Sequence, residues 1–534
     1  NPMPLMKQPA PAQPASPEMD SMSLAKATPA AGAVSPSDGA LFTSLLALQP
    51  KDRVMRLVAM SQPEFDTFFN SMRPGQRALF VADLDPDQRE VVAALKSPER
   101  LVAEELIAQR LTRDIYSTAQ LQEVMTDFWL NHFNVYLRKN AQTPYYLVGF
   151  ERDVIRPLAL GKFEDLLEAT AHSPAMLVYL DNTESIGPES YAAQRAAMTA
   201  FRRPGNQKKA HEGLNENYAR ELMELQTLGV NGGYTQADII QVARILTGWT
   251  VERPLRGGDF KFDPNRHEPG TKKALGQKFK ENGEMEGREL LHYLATRPAT
   301  AQFICRKLAI RFVSDDPPQS LVDRMGKTYL ASGGDIASVL RTLYHSPEFW
   351  SVDVYHAKVK TPLEYVVSAV RASDAEIGSL RPLANALRSM GMPLYGCVPP
   401  TGYSWEASAW VSTGALVDRM NFALALAANK LPDIGTNWSP PADSSAGATL
   451  STGTPTPEAE ELRLESLVTP GGVSESTRTA VLQQFEQQNP TTQSANPDAS
   501  TARPAAFRMQ PTPLERQDAM LAGLLLGSPE FQRR

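Results

Sequence analysis

Between His211 and Leu225 the sequence concentrates polar groups able to do chemistry, and two of them, Glu221 and Glu224, stand three residues apart. Asn215 is a natural N-cap for this segment, and no breaker interrupts the run before Gly229, a natural residue to follow a helix end. At about 100° per residue, Asn217, Glu221, Glu224 and Leu228 fall within about 60° of one another. Carboxylates spaced i, i+3 repel each other. On a stripe withdrawn from water, one of them must bind a cation, pair with a base or stay protonated. Those outcomes are a metal ligand, a general base or a general acid. The plainer alternative is a solvated face, because Glu216, Asn217, Arg220, Glu221, Glu224 and Thr227 form a polar arc opposite Leu214, Tyr218, Leu222, Met223 and Leu225.

Partners for such carboxylates would come from the seven histidines. His211 precedes the Asn/Glu helix and would lie near its positive end. His267 lies in a Pro/Gly loop with Asp263, Arg266 and Lys272, and loops often carry function. His132 lies among Phe128, Trp129 and Phe133, where a hydrogen-bonded core histidine competes with a ligand. Gathered in space, His132, His211 and His267 with Glu221 would make a nitrogen/oxygen site for zinc, iron or manganese, so the one cofactor expected is a divalent metal. Glu289 and His292 form a single Glu-x-x-His pair, whereas a di-metal helical site needs two. The sequence has no His-Glu-x-x-His, no nucleophile elbow, no phosphate-binding loop and no dinucleotide fingerprint. Arg202, Arg203, Lys208 and Lys209 read either as a solvated loop or as a gate for an anionic substrate, and Tyr395, Tyr403, Trp405 and Trp410 as packing or a stacking surface.

Helices must position these groups. Leu101–Arg113, Thr118–Phe133, Lys162–Thr170, Thr300–Val313, Ile336–Leu343 and Leu363–Arg371 all repeat apolar residues at i, i+3, i+4. The expected fold class is all-α, with one short hairpin over Val251–Asp263 turning at Gly257-Gly258. Residues 1–38 are Pro/Ala/Ser-rich and read as disordered, 39–432 as a helical core domain, 433–511 as a low-complexity loop with short helices, and 512–534 as a helix docking back on the core. Lys and Arg number 54 against 60 Asp and Glu, a net charge of −6, which argues against a nucleic-acid partner. No apolar run approaches the ~18 residues of a membrane span. Cys305 and Cys397 are the only cysteines; a bridge between them stays open, though Cys305 reads as helical core. Asn1 rather than Met opens the sequence, as in a mature chain whose export signal has been removed or in a trimmed one; the Pro/Ala leader suits the first.

Several segments, in one order, resemble the bacterial domain-of-unknown-function 1800 family. They include Asp127–Asn134, Ser173–Met176 with Tyr179–Asn182, Asn215–Leu222, Gly232–Gln236, Arg266–Lys272 and Leu394–Cys397. The resemblance covers roughly residues 95–430 and the last twenty. It implies a large helical bacterial protein, periplasmic or secreted, and points to an exported phosphatase/sulfatase-like protein as partner. It carries no general activity. The family usually has His where this chain has Gln226 and Asp where it has Glu268; were that His a ligand, Gln226 would weaken a metal site here.

The residues lead to a hydrolase-type enzyme acting on a polymeric or anionic substrate. Glu221 and Glu224 would be acid/base groups or ligands, with His132, His211 and His267 nearby and Asn215 and Asn217 orienting. The competing reading is a non-catalytic envelope protein, binding or assembling with a partner, its Pro-rich arms serving as tethers.

Overall fold

The computed structural model describes residues 36–202, 213–253, 256–439, 456–488 and 512–534. The chain is mainly α-helical, and its strands form three two-stranded antiparallel ribbons among these residues. One pairs Trp249–Val251 with Phe260–Phe262, Trp249 opposite Phe262. Most of the leader expected to be disordered, and parts of the 433–511 segment, lie outside the described residues.

Two compact units divide at Leu101 and Val102. The stretch 39–432 therefore does not form the one domain its composition suggests: its apolar residues gather in two separate clusters. A composition shift cannot mark the division, because helix Pro98–Tyr116 runs across it.

The first unit is built of short helices, several opened by a proline whose missing N–H costs nothing in a first turn. Leu57, Phe65, Phe68 and Phe80 fill its centre. Arg53, 2% exposed, ties the helix ends together. Its guanidinium donates to the carbonyls of Leu45, Leu46, Leu48 and Phe80, and to Asp83 at 2.7 Å. One side chain thus satisfies several backbone acceptors that no helix reaches.

In the second unit, helix Gln120–His132 is buried over nearly all of its last turns. A helix apolar on every side belongs inside a large core, yet this one carries Glu123, Asp127, Asn131 and His132. It packs on the segments Phe150–Ile155 and Arg156–Leu158, while helices Pro298–Phe312, Gln319–Ser332 and Ile336–Tyr344 of the same unit pack on one another. Helix Pro513–Leu526 packs on Thr413–Ala427 and on Pro457–Val468. Leu464, Val468, Val481 and Phe485 join the main core, so the described residues 456–488 are part of the packed body. Both cysteines are free and buried, Cys305 within helix Pro298–Phe312.

Helix Glu284–Ala295 crosses the Trp249 ribbon at Gly287. A Cβ there would come within 2.1 Å of Trp249 Cζ2, inside a fully buried ring. Gly287→Ala is expected to destabilise the second unit by about 1–3 kcal/mol in denaturant melts. An unchanged midpoint would mean that the helix does not approach Trp249 this closely.

Candidate functional site

The Asn/Glu segment folds as helix Glu216–Glu221 followed by a π-helical turn, Leu222–Thr227. Asn215 caps it, accepting from the backbone N–H of Asn217 at 2.8 Å and of Tyr218 at 3.3 Å. Its amide also donates to Leu180 O at 2.8 Å. The wider winding closes i→i+5 bonds, such as Leu228 N to Met223 O at 2.8 Å, so a uniform 100° step does not hold past Glu221. Glu221 and Glu224 end half-buried, and Asn217 is exposed. Burial, then the charge of Glu224, raises the Glu221 carboxyl against the pull of Arg220. Tyr234 hydrogen-bonds to Glu224, and burial together with that carboxylate pushes its hydroxyl up to about 12.

The imidazoles do not join them. His211 lies outside the described residues. His132 is 2% exposed; its Nε2–H donates to Gln226 O at 3.1 Å, and its Nδ1 accepts from Lys307 Nζ at 2.8 Å. Burial, then the lysine charge, holds it neutral, and burial lowers Lys307 to about 8. Both ring nitrogens are spent, one facing an ammonium, so His132 is not free to ligate a cation.

His267 belongs to a different cluster. Its Nδ1–H donates to Thr247 O at 2.8 Å, while Nε2 lies 3.0 Å from Glu286 and 3.2 Å from Lys272 Nζ. The metal set His132, His267 and Glu221 is therefore not assembled. Among the described residues no three His, Cys, Asp or Glu side chains converge as ligands.

The structure instead opens a cavity of about 480 Å³ elsewhere in the second unit, lined by residues of helices Pro98–Tyr116, Gln120–His132, Pro298–Phe312 and Pro362–Ala372. Val468 and Phe531 complete its apolar wall. Four carboxyl groups reach it, and three are tied to cations. Asp127 accepts from Arg110, Glu123 from Arg156, and Glu364 from Arg311, with Arg534 Nε at 2.8 Å from the same Glu364 oxygen. Burial would raise Glu364, but the two guanidinium groups and the Thr361 N–H outweigh it and hold the carboxyl at about 2.

Asp114 is the exception. Its side chain is 12% exposed, its nearest cation is Arg110 Nε at 3.9 Å, and its Oδ2 has no hydrogen-bond partner. Burial, reinforced by Asp127, Glu151 and Glu123 against Arg110, pushes it up to about 8. Lys360, also on the cavity, sits 3.9 Å over the Phe531 ring, and burial brings its amine down to about 8 against the pull of Glu364. One wall thus presents a carboxylic acid that is neutral at neutral pH, together with an ammonium that gives up its proton easily.

Behind Asp114, Glu151 accepts from Arg113 at 3.1 Å and from the Tyr395 hydroxyl. Tyr395 has φ 53°, a left-handed conformation costly for an aromatic residue, and Arg110 lies 5.2 Å over its ring. The strained backbone at Tyr395 thus adjoins the same carboxyl cluster, through its hydroxyl on Glu151.

The family model described as "Protein of unknown function (DUF1800)" matches residues 8–533, nearly the whole chain. The chain belongs to the DUF1800 family. No curated protein and no solved structure matches it. Of the cavity residues in this DUF1800 chain, Asp127 lies in one of the family-like segments quoted above, whereas Asp114, Lys360 and Glu364 do not. The available signal was a charged residue, Asp127, directly beside the aromatic pair Phe128-Trp129.

The folded chain keeps a proton on Asp114 that the unfolded chain releases near the ordinary aspartate value of 3.8. That proton's contribution is full below about pH 4 and is lost as pH rises through about 8. Asp114→Asn, which mimics the neutral acid, is expected to leave stability unchanged near pH 4 and to raise it by more than about 1 kcal/mol near pH 8. An Asn variant less stable at pH 8 than the parent would contradict the neutral carboxyl.

Proposed function

We propose that this DUF1800 protein is a hydrolase-type enzyme whose reaction takes place in the 480 Å³ cavity, with Asp114 as the proton-transferring group. The observation that carries this reading is a cavity-facing carboxyl group that lacks an ion-pair partner at close range, beside three that are paired. A general acid must hold its proton at the working pH and be able to release it, and a group near 8 meets both needs.

In hydrolysis the Asp114 proton passes to the departing atom as its bond to the scissile centre breaks. Water forms the new bond to that centre and returns a proton to the Asp114 carboxylate, so the group ends as it began. Lys360, as ammonium, offsets negative charge that develops during attack. The apolar residues Leu363, Val367 and Phe531 keep the surroundings dry, which strengthens each of these interactions. A cavity of this size takes a small molecule or one end of a polymer. We place the protein in the periplasm or outside the cell, as the family resemblance implies.

A second reading, assembly with an exported phosphatase/sulfatase-like partner, draws support from one exposed segment. Trp350 (75%), Val352 (88%) and Tyr355 (68%) stand in solvent within six residues, and clustered apolar exposure often marks a contact surface.

Chromogenic carboxylic, sulfate and phosphate esters and glycosides, offered to the parent and to Asp114→Asn, separate the two. Turnover of one class by the parent, falling by about 10²-fold or more in the variant with no loss of melting temperature, is the expected result. Full activity of the variant removes Asp114 from the chemistry. No turnover of any class leaves the assembly reading in possession.

A further inference from the structure

Hydrogen-bond accounting on the cavity wall gives more donors than acceptors. Glu123, Asp127 and Glu364 already accept from Arg156, Arg110 and Arg311. Lys360 Nζ, in contrast, has no hydrogen bond and no ion pair among the described residues; only the Phe531 ring lies under it, at 3.9 Å. Arg311 is 2% exposed, and its buried Nε has no acceptor. Arg371 has no carboxylate partner among the described residues; its guanidinium donates to the carbonyl of Ile115. Asp114, protonated, is a further donor. A buried donor without an acceptor, as Arg311 Nε is, is uncommon in native proteins, and beside the half-buried Lys360 amine and the exposed Arg371 it asks for an acceptor-rich occupant.

Charge narrows the choice. Three carboxylates remain on the wall even though each is paired, and they oppose a second negative charge on a ligand. Val124, Leu363, Val367, Ala372, Val468 and Phe531 supply an apolar surface beside the donors. Cations with apolar surface next to them suit an anionic head on a hydrocarbon stem.

We infer that the cavity takes a singly charged oxyanion, a carboxylate or a sulfate monoester, carried on a short apolar group, with Lys360 and the Arg311 Nε–H holding the oxygens and Arg371 at the exposed mouth. This inference rests on the cavity being the working site and names the class of molecule that enters it. Lys360 and Arg311 act here as binding residues, and the proton transfers stay with Asp114.

The test is calorimetric titration of the full chain at pH 7 with hexanoate, hexyl sulfate, hexyl phosphate, hexanol and hexylamine. Hexanoate and hexyl sulfate are expected to bind about ten-fold or more tightly than hexanol, the difference a charge-assisted hydrogen bond makes. Hexyl phosphate should bind more weakly than the sulfate, and hexylamine least. Lys360→Met should bring hexanoate to the affinity of hexanol without altering hexanol binding, while Lys360→Arg should restore most of the preference. Unchanged hexanol binding also shows that the variant is folded. Hexanol or hexylamine binding as well as hexanoate would overturn the oxyanion class yet leave the cavity a ligand site. Hexanoate binding indifferent to Lys360, or no binding by any probe, would overturn the inference, and the Asp114→Asn turnover experiment would still decide the enzyme reading.

Discussion

Helix Gln120–His132 places charge where water cannot reach, and the second unit is organised around meeting that demand. Asp127, 7% exposed, is met by Arg110. Asn131 donates to Tyr403 O at 2.8 Å and accepts from Tyr403 N at 2.7 Å. His132 is met by Gln226 O and Lys307. An uncompensated polar group at any of these positions would cost on the order of 1–3 kcal/mol, so the partners are not optional. They come from segments up to 272 residues away. Satisfying this one helix therefore brings distant parts of the chain together. The same requirement leaves Asp114 stranded: Arg110, its nearest cation, is directed at Asp127.

The segments that resemble the family do similar work. Asn134, just past the helix, donates to Cys397 O at 3.0 Å and Pro399 O at 2.9 Å. Leu137 N donates to Tyr395 O at 2.9 Å, and a Cβ on Gly402 would lie 2.3 Å from Asn131 O. The motif around Asp127 and the motif around Tyr395 are thus two sides of one contact. Asn182 similarly donates to Leu246 O and Trp249 O, and His267 to Thr247 O. These motif side chains pin loop carbonyls. They fix the scaffold, and the cavity is formed partly by residues outside the quoted motifs.

Local rules explain how much of this was readable. Asn215 as a cap and the helical periodicity follow from neighbouring residues alone, and the structure shows both; the hairpin expected over Val251–Asp263 pairs Trp249–Val251 with Phe260–Phe262, beginning two residues earlier. The metal set failed because ligation depends on what each imidazole already touches. Lys307 is 175 residues from His132, and nothing in its own segment announces the pairing. The π-helical turn at Leu222–Thr227 also has no local sequence rule, yet it decides which faces of that segment are buried. Asp114 looks like an ordinary helix-surface aspartate in sequence. Its perturbation exists only because Asp127, Glu123 and Glu151 converge on it from two other helical segments.

An acid without a close ion-pair partner among closely paired ones is a statement about one proton. Infrared spectroscopy of the parent against Asp114→Asn, near neutral pH in heavy water, observes that proton through the carbonyl band of an undissociated carboxylic acid. The band should be present in the parent, absent from the variant, and should fade in the parent as pH rises through about 8. A parent without that band at neutral pH, its Asp114 ionised like any surface aspartate, would contradict the account.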